Sequence, residues 1–234
     1  MRKKQTYKRH VILRSSGLLI IGVLLLAGGR ALRNGQALPD NSASNQAGAW
    51  NMILVNAQNP IPDGFETELA DISGGHRVDA RIASSLEAML DAARQQGLDP
   101  VVCSSYRTRQ KQQTLYSNKV QSYIDMGYGR AEAESKAARW VAPPDTSEHQ
   151  LGLAVDIVAS SYQRLDEKQE ETPEQQWLME HCHEYGFILR YPSDKSELTG
   201  IAYEPWHYRF VGKEAAKAIT EQGVCLEEYL EGLA

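Results

Sequence analysis

The sequence predicts a domain in which helices and strands are mixed. Apolar residues recur every three or four positions over residues 79–96, a spacing that is typical of an amphipathic helix ending at Gly97. Residues 100–104 and 187–191 are short apolar runs without that spacing, and they indicate strands. These periodicities establish both kinds of element but leave the arrangement of the strands open.

The remaining elements follow from the same patterns. Further strands are predicted over residues 52–56 and 203–211, and further helices over residues 109–126, 130–140, 172–186 and 212–222. Thr172 and Pro173 suit the N-cap and the first position of the third of these helices.

The first 34 residues have the composition of a leader. Eight basic residues and no acidic residue lie here, and residues 17–29 form an apolar run that ends in small residues. This order predicts a signal peptide or, without cleavage, a membrane anchor whose basic end stays in the cytoplasm. The run is short for a span of ~20 residues, so cleavage stays open. Either way, we expect the rest of the chain to be exported.

Residues 35–50 are small and polar without apolar periodicity, which predicts a flexible linker before a single domain over residues 51–234. The whole chain has a net charge of −5, and the basic start leaves the domain itself more acidic. An acidic domain argues against nucleic acid as a partner. We expect this domain to be a monomer.

Residues 147–157 hold two candidate metal ligands, His149 and Asp156. Apolar residues alternate through this segment, which indicates a strand or the loop at a strand's edge. His207 offers a second imidazole, and Glu204 precedes it by three residues. Zn²⁺ takes nitrogen and oxygen ligands at about 2.0–2.2 Å, and a nearby glutamate could act on a metal-bound water. Taken singly, each half of this set is more often structural.

The complete pattern resembles the zinc D,D-carboxypeptidases of the VanY type. Residues 147–156 read Ser-x-His-x-x-Gly-x-Ala-x-Asp, and residues 204–207 read Glu-Pro-Trp-His. Other blocks of that family stand in the same order, at residues 104–108, 112, 186–192 and 208–212. The resemblance covers residue 51 to the C-terminus. Asp145 departs from the family, which often has glycine at this loop position.

The resemblance implies an α+β fold in which a small, mostly antiparallel sheet carries the zinc site and helices flank it. It implies one Zn²⁺ per chain, held by His149, Asp156 and His207, with the fourth position open for water. Glu204 would then be the general base that takes the proton of this water.

Three further residues are expected to bind the substrate. Arg107 lies between a predicted strand and a predicted helix, and its planar guanidinium suits a carboxylate or a developing oxyanion. In the family, the positions that match Arg107 and Gln112 hold the carbonyl and the terminal carboxylate of the substrate. Ser147 matches a serine that contacts the substrate. Arg107 is also expected to share the negative charge of the transition state, so it is a catalytic candidate.

The activity implied by the resemblance is removal of the C-terminal D-alanine from peptidoglycan stem peptides that end in D-Ala-D-Ala. A protein that is secreted to the cell wall, or anchored in the membrane by its leader, would meet this substrate. One alternative is an L,D-carboxypeptidase that acts on tetrapeptide stems. Another is a cell-wall-binding module without catalysis, although such a module needs no base like Glu204 beside a metal.

Overall fold

The computed structural model describes residues 49–233, so the predicted leader (1–34) and nearly all of the predicted linker (35–50) lie outside the described residues. The strands of the described part are β1 (Leu69–Ile72), β2 (His76–Asp79), β3 (Pro100–Ser104), β4 (Ala154–Ala159), β5 (Phe187–Leu189) and β6 (His207–Phe210). Its α-helices are α1 (Ala83–Gln95), α2 (Arg109–Asp125), α3 (Arg130–Ala138), α4 (Pro173–His181), α5 (Ser196–Thr199), α6 (Lys213–Gln222) and α7 (Leu226–Glu231). Within this range, every helix is too short or too polar to cross a membrane.

The strands form two antiparallel sheets. β1 and β2 make a hairpin in which Leu69 pairs with Asp79 and Ile72 with His76. The other four strands form one sheet in the order β3-β4-β6-β5, and each neighbouring pair is antiparallel. Helices precede and follow these strands along the chain. The predicted α+β class, with a small antiparallel sheet among helices, is therefore confirmed.

β4 lies in the interior of the domain, and all six of its residues are buried. α1 contributes its apolar face, with Leu86, Met89 and Leu90, to the same core. Asp156 is thus a carboxylate within a buried and otherwise apolar strand. A buried charge in such a place is costly unless other groups compensate it.

Smaller apolar clusters attach the outer helices. α2 and α3 pack together through Val120, Ala133 and Ala137. α6 packs on Ile188 and Val211 through its alanines and Ile219, which places the C-terminal helices beside β5 and the end of β6. Trp50, at the end of the predicted linker, stacks on the ring of Phe210 at 5.9 Å between centroids.

Several predicted element boundaries are wrong. The strand predicted from the alternation over residues 151–157 begins only at Ala154, because a short 3-10 helix occupies Glu148–Leu151. Residues 52–56 form no strand. The side chains of Met52 and Val55 are buried, but the backbone N–H groups of Met52 and Asn56 donate hydrogen bonds within local turns. The helix predicted from residue 79 starts at Ala83, because Asp79 closes β2. The hairpin, α5 and α7 were not predicted.

Candidate active site

Two of the three predicted metal ligands stand opposite each other in the sheet. Asp156 on β4 pairs with His207 on β6. Directly opposite residues of antiparallel strands have Cβ atoms about 4.5–5.5 Å apart, so the register itself brings this carboxylate and imidazole together. Both side chains are buried.

His149 reaches the same place from the 3-10 helix that precedes β4. This helix ends at Gly152, whose φ of +73° is in the left-handed region. A Cβ at this position would lie 2.8 Å from the backbone nitrogen of Asp79, so the turn requires glycine for two reasons. The turn directs the chain from His149 into β4 and thereby sets the spacing between His149 and Asp156.

The three side chains present their ligand atoms at distances that suit zinc. Oδ1 of Asp156 lies 3.3 Å from Nε2 of His149 and 3.0 Å from Nδ1 of His207. All three ligand atoms lie within 4.8 Å of one another. Tetrahedral ligands at about 2.0–2.1 Å from zinc are about 3.3 Å apart, close to the two separations from Oδ1 of Asp156. Oδ1 of Asp156 is buried between the two rings without a hydrogen bond of good geometry, as expected for an atom that ligates a metal.

Other groups hold each ligand from behind. Nδ1 of His149 donates to the carbonyl oxygen of Ser105 at 2.9 Å, so Nε2 is the unprotonated nitrogen and faces the site. Oδ2 of Asp156 accepts a hydrogen bond from Arg107 at 2.8 Å. Nε2 of His207 faces Oε2 of Glu148 at 3.7 Å, which is a charge contact and not a hydrogen bond. Contacts of this kind fix the tautomer and the orientation of metal-bound histidines.

Glu204 faces the same cavity as the ligands. Its Oε2 lies 3.5 Å from Nδ1 of His207, and the side chain is almost fully buried. Burial, together with the negative charges of Asp156 and Glu148, raises the pKa of Glu204 to about 8. The carboxyl group is therefore suited to hold and release a proton near neutral pH.

The two histidines have opposite pKa shifts in the absence of a metal. Burial and the positive charge of Arg107 lower the pKa of His149 to about 4. Burial alone would also lower the pKa of His207, but its contacts with Asp156 and Glu148 raise the pKa to about 9. A metal must therefore displace a proton from His207, while His149 is already neutral.

The structure brings Arg107 into the site and places Gln112 behind it. One nitrogen of the Arg107 guanidinium, Nη2, lies 2.8 Å from Oδ2 of Asp156 and 2.9 Å from Nε2 of His149. Gln112 is fully buried; it accepts a hydrogen bond from Arg107 and donates one to the carbonyl of Ala142. Ser147 is buried at the wall of the cavity. Contact of these three residues with a substrate stays a prediction.

Glu148 is a site residue that the sequence analysis missed. It is fully buried, and its Oε1 lies 2.7 Å from Nε of Arg190 and 2.8 Å from Nη1 of Arg209. Arg190 in turn binds Glu227 of α7 at 2.7 Å. These charges hold the pKa of Glu148 well below its ordinary value although burial opposes this. Glu148 is thus a fixed anion that connects His207 with the C-terminal helix.

A signal for this network was present in the sequence. Arg190 directly follows β5 and Arg209 lies in β6. Both belong to segments predicted as strands, where a charged side chain is expected only with a buried partner. Glu148 lies between Ser147 and His149 in the metal-ligand segment, so it was the obvious acidic partner for these arginines. Tyr191 was also missed; its ring lies 4.8 Å from that of His207 and lines the cavity.

The ligands open into a cavity of about 470 Å³. Its inner end is formed by the metal ligands, Arg107 and Glu204, with Ser147, Tyr191 and Trp206 around them. The outer end is formed by α2, residues 140–142, Leu165 and Ile201. A substrate in this cavity would meet the ligand cluster and the carboxyl group of Glu204 together.

Comparison with known proteins gives the family. Residues 75–213 match the family model described as VanY, D-alanyl-D-alanine carboxypeptidase, and this range contains every predicted ligand and Glu204. The chain belongs to the VanY family. The D-alanyl-D-alanine carboxypeptidase of Enterococcus faecalis is 51% identical over 181 residues, which are 77% of this chain and 66% of that protein. The chain thus spans about two thirds or less of the length of the curated relatives it matches.

Two solved structures agree with this VanY assignment. One is a variant of the vancomycin-resistance D,D-pentapeptidase VanY in complex with Zn(II), 50% identical, with a TM-score of 0.72 over 78% of this chain and 99% of that chain. The other is the LD-carboxypeptidase LdcB, 36% identical, with a TM-score of 0.67 over 78% of this chain and 86% of that chain.

Proposed function

We propose that this protein is a zinc-dependent D-alanyl-D-alanine carboxypeptidase that removes the C-terminal D-alanine from peptidoglycan stem peptides ending in D-Ala-D-Ala. One observation carries the proposal. His149, Asp156 and His207 converge at distances that suit zinc, and Glu204 faces the same cavity. Membership of the VanY family and the Zn(II) complex of a relative support the same reaction.

Nε2 of His149, Oδ1 of Asp156 and Nδ1 of His207 would hold the metal. When bound, zinc acts as a Lewis acid that polarises a carbonyl group and makes a water molecule more acidic. A positive charge at these ligands lowers the pKa of Glu204, because an opposite charge nearby favours the carboxylate.

The chain's own residues perform the proton transfers and orient the substrate. Glu204 takes a proton from the attacking water and delivers it to the departing amino group of D-alanine. The guanidinium of Arg107 donates hydrogen bonds to the oxygen of the scissile carbonyl as negative charge develops on it. Gln112 and Ser104 contact two different nitrogens of Arg107, at 3.2 and 3.0 Å, and keep its plane oriented. Ser147 lines the cavity where a substrate backbone would pass.

An L,D-carboxypeptidase is the second candidate, because LdcB shares the fold and 36% of the aligned sequence. The ligand set suits both activities, since either enzyme hydrolyses one amide bond beside a terminal carboxylate. Product analysis with a pentapeptide that ends in D-Ala-D-Ala and with the corresponding tetrapeptide separates them. Release of D-alanine from the pentapeptide alone supports the proposal, and release from the tetrapeptide alone supports the alternative.

The Glu204→Gln variant tests the role of the base. We expect it to bind one zinc per chain and to release no measurable D-alanine, because glutamine keeps the size of the side chain but cannot accept the proton. Glu221→Gln, on the exposed surface of α6, is the matched control and should keep both properties. Retained hydrolysis in Glu204→Gln would remove this residue from its assigned role. Zinc binding by the unaltered protein without cleavage of either peptide would favour a wall-binding module.

We propose further that the domain acts outside the cytoplasm as a monomer. The basic and apolar order of residues 1–34 supports export, and a peptidoglycan substrate requires it. Protease treatment of intact cells should degrade the domain if an uncleaved leader anchors it, whereas a cleaved protein should appear in the wall or medium. Recovery of protected protein in the cytosol would contradict this proposal.

A further inference from the structure

The cavity extends beyond the catalytic residues along one side of α2. We call this extension the outer groove, and its walls are Leu115, Asn118, Lys119, Ser122, Trp140, Val141, Ala142, Leu165 and Ile201. The complete cavity, at about 470 Å³, lies in the range of sites that hold ligands much larger than one alanine. The inner end accounts for the terminal D-alanine, so the outer groove is available to the stem peptide upstream of the cleaved bond.

Lys119 is the one charged side chain among the residues that line the outer groove. Its ammonium group lies 5.5 Å from the ring centroid of Trp140 and 5.5 Å from that of Tyr123. The two rings hold the side chain in place by cation–π attraction. Within residues 49–233, the ion pairs found at Lys136, Lys195 and Lys217 have no counterpart at Lys119. Its positive charge is therefore positioned in the groove and open to an anion.

The position of Lys119 defines which part of a stem peptide it can reach. Arg109 begins α2 next to Arg107, and Lys119 follows ten residues later, which is about 15 Å along a helix. Helical side chains lean toward the N-terminus, so the ammonium group comes a few Å closer to Arg107. An extended peptide advances about 3.4 Å per residue. A peptide that runs along α2 from Arg107 would therefore reach Lys119 roughly three residues upstream of the cleaved bond. In a pentapeptide stem this is the second residue.

We propose that Lys119 binds the free α-carboxylate of the second stem residue, a γ-linked D-glutamate, and so makes the enzyme prefer stems in which this group is not amidated. The inference rests on the proposed function and adds a specificity determinant to the same cavity. The contact lies far from the reacting atoms. It therefore stabilises the bound substrate and the transition state equally and should change KM more than kcat.

The test uses two synthetic pentapeptides that end in D-Ala-D-Ala and differ only in a carboxylate or a carboxamide at the second residue. We expect the zinc-loaded protein to favour the carboxylate peptide by at least about tenfold in kcat/KM, the low end of what one hydrogen bond to a charged group contributes. Lys119→Met should lose this preference through a higher KM for the carboxylate peptide alone. Lys119→Arg should keep the preference, because it keeps the charge.

Lys136→Met is the matched control, since Lys136 also lies over an aromatic ring, that of Tyr128 at 4.7 Å, but outside the cavity. This variant should keep the preference. Equal rates for the two peptides with the unaltered protein would overturn the inference and leave the proposed function intact. An equal loss on both peptides in Lys119→Met would show a structural role and would also overturn it. If neither peptide is cleaved by the unaltered protein, the proposed function fails and the inference fails with it.

Discussion

Replacing Glu148 by glutamine tests whether this buried carboxylate orients a metal ligand. Its Oε2 lies 3.7 Å from Nε2 of His207, and its Oε1 lies within 2.8 Å of nitrogens of both Arg190 and Arg209. Groups that support a metal-bound histidine contribute about 10- to 100-fold to metal affinity. We therefore expect the zinc affinity of Glu148→Gln to fall by this factor, equivalent to about 1.4–2.7 kcal/mol.

The same substitution should also destabilise the fold. Two fully buried guanidinium groups share the charge of Glu148, and removing one member of a buried ion pair costs about 3–5 kcal/mol. In this variant Arg190 keeps its ion pair with Glu227. Arg209 keeps only its hydrogen bonds to carbonyl oxygens, so its charge loses its carboxylate partner. We expect the free energy of unfolding of the metal-free variant to fall by about this amount.

The assay is competition for zinc against a chromophoric chelator, at a temperature where circular dichroism shows the variant to be folded. Glu227→Gln is the control, because Glu227 also binds Arg190, at 2.7 and 2.8 Å, but does not contact His207. This control should lose stability and keep its zinc affinity. Unchanged zinc affinity in Glu148→Gln, or an equal loss in both variants, would refute the orienting role.

Two further predictions concern the turn and the pH dependence of metal binding. Gly152→Ala should destabilise the protein and weaken zinc binding, since a left-handed φ and a 2.8 Å approach to Asp79 both exclude a side chain. Gly97 has a similar φ but open space around it, so Gly97→Ala is the control. It should lower the free energy of unfolding less and leave the zinc affinity unchanged. Below about pH 9, zinc must displace the proton of His207, so zinc affinity should rise about tenfold per pH unit between roughly pH 6 and 8. Chelator competition at several pH values measures this slope, and a flat profile would contradict the protonated state of His207.

The sequence predicted the site better than it predicted the element boundaries. The ligand segment, Glu204 and His207 were proposed because residue type is visible in a sequence and because the complete pattern resembles the VanY-type enzymes. The placement of His149 was only half right. Its segment alternates like a strand, but Gly152 ends a 3-10 helix in a left-handed conformation that apolar periodicity does not show.

The buried ion network could not be assembled from the sequence. Glu148, Arg190 and Glu227 are separated by about forty residues each along the chain, and their contacts depend on how β5, β6 and α7 pack. Gln112 illustrates the same point, because its contact with Ala142 depends on where the loop after α3 returns. Local patterns specify single elements, whereas contacts between distant segments are fixed by packing in three dimensions.

A crystal structure of the zinc-loaded protein, with anomalous data at the zinc edge, tests the central claim most directly. We expect a single strong peak at about 2.0–2.2 Å from Nε2 of His149, Oδ1 of Asp156 and Nδ1 of His207, with the carboxyl group of Glu204 facing the fourth position. A peak elsewhere, or zinc bound to only two of these side chains with Glu204 turned out of the cavity, would contradict it.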